Sequence, residues 1–127
     1  MSLIDDVLAA RIVPVVVVND AARAAGLADA LVAGSLPVAE VTLRTPAALE
    51  SIATMAQNTD LLVGAGTVLT PDQVDQAVDA GARFLVSPGF SAETVARAAA
   101  RGVPIVPGTV TPSEVMAGLA AGLTLLK

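Results

Sequence analysis

Short runs of β-branched residues alternate with alanine-rich stretches along the whole chain, and that alternation most limits what it can fold into. The expected strands are Ile12–Val18, Val38–Leu43, Leu61–Val63, Phe84–Val86, Val103–Val106 and a sixth from Leu123 onward. Helical patterns fill 21–33, 46–57, 71–81, 91–101 and 112–121 between them. The strands return about every 20 to 25 residues, the beat of successive βα units. Near-continuous apolar strands separated by helices imply a parallel sheet covered by helices.

The punctuation agrees. Thr45-Pro46, Thr70-Pro71 and Thr111-Pro112 each set a capping hydroxyl before a proline at the first helical position. Ser91 makes a similar start. Gly34, Gly81, Gly102 and Gly122 stand where helices should stop and would allow a left-handed turn. No linker or shift of composition divides the 127 residues, so they read as one domain. Length favours a doubly wound open sheet, because a (β/α)8 barrel runs to about 250 residues and small ones to about 200. The residues at the strand ends favour the barrel.

Composition removes several kinds of chemistry. The chain is 54% hydrophobic, 15% charged and 2% aromatic, the reverse of a disordered segment. Its apolar residues never gather into a run of about 18, and acidic Asp5 and Asp6 stand where a secretory signal would be basic. A cytoplasmic protein that does not enter membranes is the expectation. A formal charge of -5, scattered arginines and no Trp or Tyr leave no surface for nucleic acid. Without cysteine or histidine there is no thiol nucleophile, no Ser-His-Asp triad and no ordinary zinc site. Acid–base work falls to Asp, Glu, Lys or an activated hydroxyl. Lys127 is the single lysine.

The second strand carries Glu40, Thr42 and Arg44 on one face and Val41 and Leu43 on the other. An ion pair between Glu40 and Arg44 at a sheet edge would explain this. A polar barrel interior, opening at the C-terminal ends of the strands, would explain it too. Gly64-Ala65-Gly66-Thr67 ends the third strand. It serves either as a tight turn or as a close backbone approach to a ligand, with Thr67 offering a hydroxyl. It lacks the third glycine of a dinucleotide fingerprint. Ser87-Pro88-Gly89 and Pro107-Gly108-Thr109 end the fourth and fifth strands and read first as turns. Lys127 is either a solvated chain end or a desolvated amine able to form a Schiff base with a ketone. A receiver-like signalling module of this length would need an aspartate at the end of the third strand, where Gly64-Ala65-Gly66 stands.

Taken together, PVVVV (14–18), EVTLRT (40–45), VGAGTVL (63–69), SPGF (87–90), PIVPG (104–108), TPSE (111–114) and GLTLLK (122–127) resemble the 2-keto-3-deoxy-6-phosphogluconate and 4-hydroxy-2-oxoglutarate aldolases. The blocks stand in family order from residue 11 to residue 127. The resemblance implies a (β/α)8 TIM barrel, with about its first five βα units and sixth strand in residues 1–127, and a natural chain that continues past Lys127. It implies a class I lyase without metal or cofactor, releasing pyruvate from a keto-acid in the Entner-Doudoroff pathway, and a homotrimer. Lys127 would be the Schiff-base lysine and Glu40 the general acid/base. Arg44 and Thr67 would bind the carboxylate of the pyruvate half, and Pro88 would line the same site. The 2-keto-3-deoxy-6-phosphogalactonate aldolases are similar too, but typically lack the arginine at position 44. A non-catalytic sugar-acid-binding barrel fragment would keep Arg44 and Thr67 without needing Lys127.

Overall fold

The computed structural model of the chain describes residues 2–127. Helix α1 (Leu3–Ala9) leads into β1 (Val15–Val16), a 3-10 turn (Ala21–Arg23) and α2 (Ala24–Ala33). Then come β2 (Val38–Thr42), α3 (Ala48–Met55), β3 (Leu62–Gly66), α4 (Pro71–Asp79), β4 (Phe84–Ser87), α5 (Ala92–Ala100), β5 (Ile105–Pro107) and α6 (Pro112–Ala120). All strand pairs are parallel, and the order across the sheet is β1-β2-β3-β4-β5. Sequential order is what a barrel sheet has. A doubly wound sheet reverses its strand order at a switch point, so the open-sheet alternative and the receiver-like module fall together.

The two sheet faces bury different partners. Ala39, Val41, Val63, Ala65, Leu85 and Ile105 form one face and pack with Ala24, Ala28, Ile52, Met55, Val74, Ala77, Val95 and Ala98 of the helices. The other face is the inner one. Its register runs Val15–Glu40–Gly64–Phe84 across four strands. Near the start of the strands, Val38, Phe84 and Val86 close over Val7 of α1. A Cβ on Gly64 would occupy the space of the Phe84 ring, so the glycine admits the largest fully buried side chain.

Several expectations change in detail. Helix α1 has no counterpart among the expected elements; Ser2 donates from both its amide and its hydroxyl to the Asp5 carboxylate at 2.8 Å, organising its first turn. Thr70 and Thr111 cap α4 and α6 as expected, and Ser91 caps α5. Thr45-Pro46 does not cap α3, which starts two residues later; the Thr45 hydroxyl donates to the Val18 carbonyl and joins the ends of β1 and β2. Gly81, Gly102 and Gly122 adopt positive φ, whereas Gly34 does not, and Ser35 takes that conformation at φ 59°. Only two residues of the expected first strand are in ladder register, since β1 pairs on one side alone and Pro14 has no amide to donate.

No strand forms from Leu123 onward. Leu123 instead donates to Gly118 and closes the end of α6. The chain rejoins the sheet at its last residue: the Lys127 amide donates to Pro107 O at 2.9 Å, and Thr109 N donates to Lys127 O at 2.8 Å. That reciprocal pair sets Lys127 beside Gly108, next to β5.

Candidate active site

The polar face of β2 lies inside the sheet, not at its edge, because β1 and β3 flank it. All five residues of β2 are buried. Glu40 is 5% exposed and Thr42 fully buried. Its carboxylate leans toward the C-terminal end of the strands: a Cβ on Gly66 would fall on Glu40 Oε1, Cδ and Cγ. Gly66 is therefore absent of side chain to make room for Glu40, and the room expected for a ligand at the two glycines is taken by Glu40 and Phe84. Burial raises the Glu40 pKa above its ordinary value, and the nearby charges of Lys127 and Arg44 oppose that rise without cancelling it.

Arg44 makes no ion pair with Glu40. Its Nε donates to Thr67 Oγ1 at 3.1 Å, across the ends of β2 and β3. Thr67 reaches that position in the left-handed region, φ 57°, which is uncommon for a β-branched residue and costs about 1–3 kcal/mol. The following amide, Val68 N, donates to Val86 O at 3.1 Å and holds the turn against β4. Pro88 is exposed at the end of β4. Its carbonyl crowds Gly108, where a Cβ would collide with it. Ser87, buried beside it, donates its hydroxyl to Gly89 O at 2.6 Å and so braces its own turn.

Lys127 is exposed. Its backbone pairs astride Gly108, which follows Val106 by two residues and so shares the inner face. Leu126, before it, lies against Gly118 of α6. Glu40 and Lys127 thus share one face, near enough for the lysine's charge to act on the carboxylate. Arg44 and Thr67 stand at the same end of the sheet, and Pro88 borders it beside Gly108.

Two features had no clear signal in the sequence. The hydroxyl of Thr42 is buried without a hydrogen-bond partner. A cleft lined by Val17, Asn19, Asp20, Arg23, Gly26 and Leu27 opens at the end of β1. Among the described residues, no three Asp or Glu side chains gather as ligands for a metal ion, and no helix is long and apolar enough to cross a membrane.

The family described as KDPG and KHG aldolase matches residues 4–127. The 2-dehydro-3-deoxy-phosphogluconate aldolase of Zymomonas mobilis is 48% identical over 118 residues, covering 93% of this chain and 57% of the relative. The KHG/KDPG aldolase of Escherichia coli (strain K12) is 45% identical, covering 91% and 55%. A crystal structure of the KDPG aldolase from Legionella pneumophila, with pyruvate captured as a covalent carbinolamine, superposes with a TM-score of 0.83 at 43% identity, covering 87% of this chain and 54% of that one. The chain spans little more than half the length of these relatives.

Proposed function

The chain belongs to the KDPG and KHG aldolase family, and from that premise we propose that it supplies the Schiff-base half of a class I aldolase. The substrate is 2-keto-3-deoxy-6-phosphogluconate, with 4-hydroxy-2-oxoglutarate as a second keto-acid. The observation that carries this reading is the convergence of the single lysine and a buried glutamate, its pKa raised by burial, on one sheet face.

The Lys127 amine adds to the C2 ketone to give a carbinolamine, which loses water to an iminium. Glu40 takes the proton from the C4 hydroxyl as the C3–C4 bond breaks. The electron pair of that bond moves into the iminium, leaving an enamine on the pyruvate half and a free aldehyde. Proton return to C3 and hydrolysis release pyruvate and restore the amine. A carboxyl held above its ordinary pKa by burial suits both directions of that transfer. Arg44, oriented by Thr67, clamps the substrate carboxylate, and Pro88 lines the wall. The arginine at position 44 favours the phosphogluconate over the phosphogalactonate substrate.

By the length of its relatives the working protein is a full (β/α)8 barrel, which assembles as a homotrimer and acts in the cytoplasm in the Entner-Doudoroff pathway. Residues 1–127 are the N-terminal part of its single barrel domain.

Borohydride reduction in the presence of pyruvate tests the chemistry. Peptide mass spectrometry should find the reduced pyruvate adduct on Lys127, and Lys127→Ala should abolish it. Absence of the adduct from the folded wild-type protein would remove the aldolase reading and leave a sugar-acid-binding protein.

A further inference from the structure

Thr42 carries the one buried side-chain polar atom without a partner among the described residues. A hydroxyl withdrawn from water and left unpaired weakens folding, and such groups in native proteins commonly serve a function. Thr42 is fully buried at the C-terminal end of β2, between β1 and β3, on the same strand face as Glu40. Its register partner on β3 is Gly66. The space above Gly66 is where the Glu40 carboxylate lies. The register thus sets Thr42 beside the glycine over which the Glu40 carboxylate lies.

We propose that Thr42 is a positioning residue for Glu40, its hydroxyl donating to the ionised carboxylate and accepting from the protonated one. A hydroxyl does both, whereas a backbone N–H or a guanidinium can only donate. A group that must give and take a proton within one cycle is best held by such a partner. The two groups are not bonded in this structure, and rotation of the Glu40 side chain would close the bond with or without substrate. The inference rests on the reading of Glu40 as the proton-transferring group.

The charged groups acting on Glu40 are Lys127, beside β5, and Arg44, beyond β2. The flanking strands bring Val15 from β1, Gly64 and Gly66 from β3, and Phe84 and Val86 from β4 to the same face, none of which titrates. A change in Glu40 titration after substitution of Thr42 therefore reports the hydroxyl. Donation to the charged form is the stronger of the two bonds, so its loss shifts the titration upward.

The test is the Glu40 Cδ titration of the full chain, followed by carbon-detected NMR after glutamate labelling. Thr42→Val should move the midpoint up by about one pH unit, and Thr42→Ser should restore it. The acid limb of kcat/KM should move in parallel. An unmoved midpoint in a folded T42V, or a T42S shift as large as that of T42V, overturns the proposal. Where T42V fails to fold, the wild-type protein decides: the Thr42 Cβ resonance should titrate with the Glu40 midpoint, and a flat Thr42 signal overturns the proposal. The NMR readouts do not require turnover. A missing pyruvate adduct on Lys127 would remove the aldolase reading while the Glu40–Thr42 coupling remained measurable.

Discussion

At neutral pH the Glu40 carboxyl is caught between burial, which favours its neutral form, and the charges of Lys127 and Arg44, which favour the ionised one. Burial wins, so the folded-state pKa lies above the ordinary glutamate value of 4.5. For an acid shifted in this direction, the stabilising contribution is complete below the unfolded-state pKa. It is lost as pH rises through the folded-state pKa. Glu40→Gln removes that titration. The variant should therefore be more stable than wild type at pH 7, and the difference should shrink as pH falls toward 4; urea denaturation at a series of pH values checks this. A gain that persisted unchanged in acid would point to packing and not to ionisation. Glu114 behaves oppositely. Its carboxylate accepts from Thr111 N and Val110 N, which lowers its pKa, so its contribution is present above the ordinary value of 4.5 and lost below it.

At the scale of elements, α4 and α6 share a Thr-Pro start but not a docking surface. Helix α4 buries Val74 and Ala77 and is tied to α5 by Asp75, which binds both Arg97 and Arg101. Helix α6 buries only Gly118. The same cap should therefore be read by different experiments. Thr70→Ala removes the acceptor for Gln73 N and should cost about 1 kcal/mol in global unfolding. Thr111→Ala removes the acceptor for Glu114 N and should speed hydrogen exchange of the α6 amides about five-fold, leaving the global midpoint nearly unmoved. Equal loss of global stability in both variants would mean that α6 unfolds only with the whole domain.

At the scale of the molecule, a sheet with sequential strand order presents two unlike faces and two unlike edges. The helix-covered face is filled. The inner face is closed at the α1 end and opens at the other, where the polar residues gather. Val15 is 55% exposed on β1, which pairs only with β2 among the described residues. Beyond the other edge, Val115, Met116 and Leu119 of α6 are exposed together. Exposed apolar surface of this kind binds hydrophobic dyes and associates. Met116→Lys should lower the ANS fluorescence of the 127-residue chain without moving its denaturation midpoint beyond about 0.5 kcal/mol. Unchanged fluorescence would place the dye-binding surface away from α6.

Much of this architecture is legible residue by residue. The order of strands and helices, the caps at Thr70, Ser91 and Thr111, and the stops at Gly81, Gly102 and Gly122 rest on local patterning, which a chain carries wherever it is read. The alternation in β2 likewise placed Glu40, Thr42 and Arg44 on one face. The remainder depends on segments far apart in sequence. Whether β2 lay at an edge, whether Arg44 bonded Glu40 or Thr67, and what Gly64 and Gly66 made room for were decided by neighbouring strands. The rise in the Glu40 pKa, the unpaired Thr42 hydroxyl and the register of Lys127 are also tertiary properties. Local sequence sets where side chains alternate and where helices begin and end. Desolvation and hydrogen-bond partners are set by what the fold brings alongside.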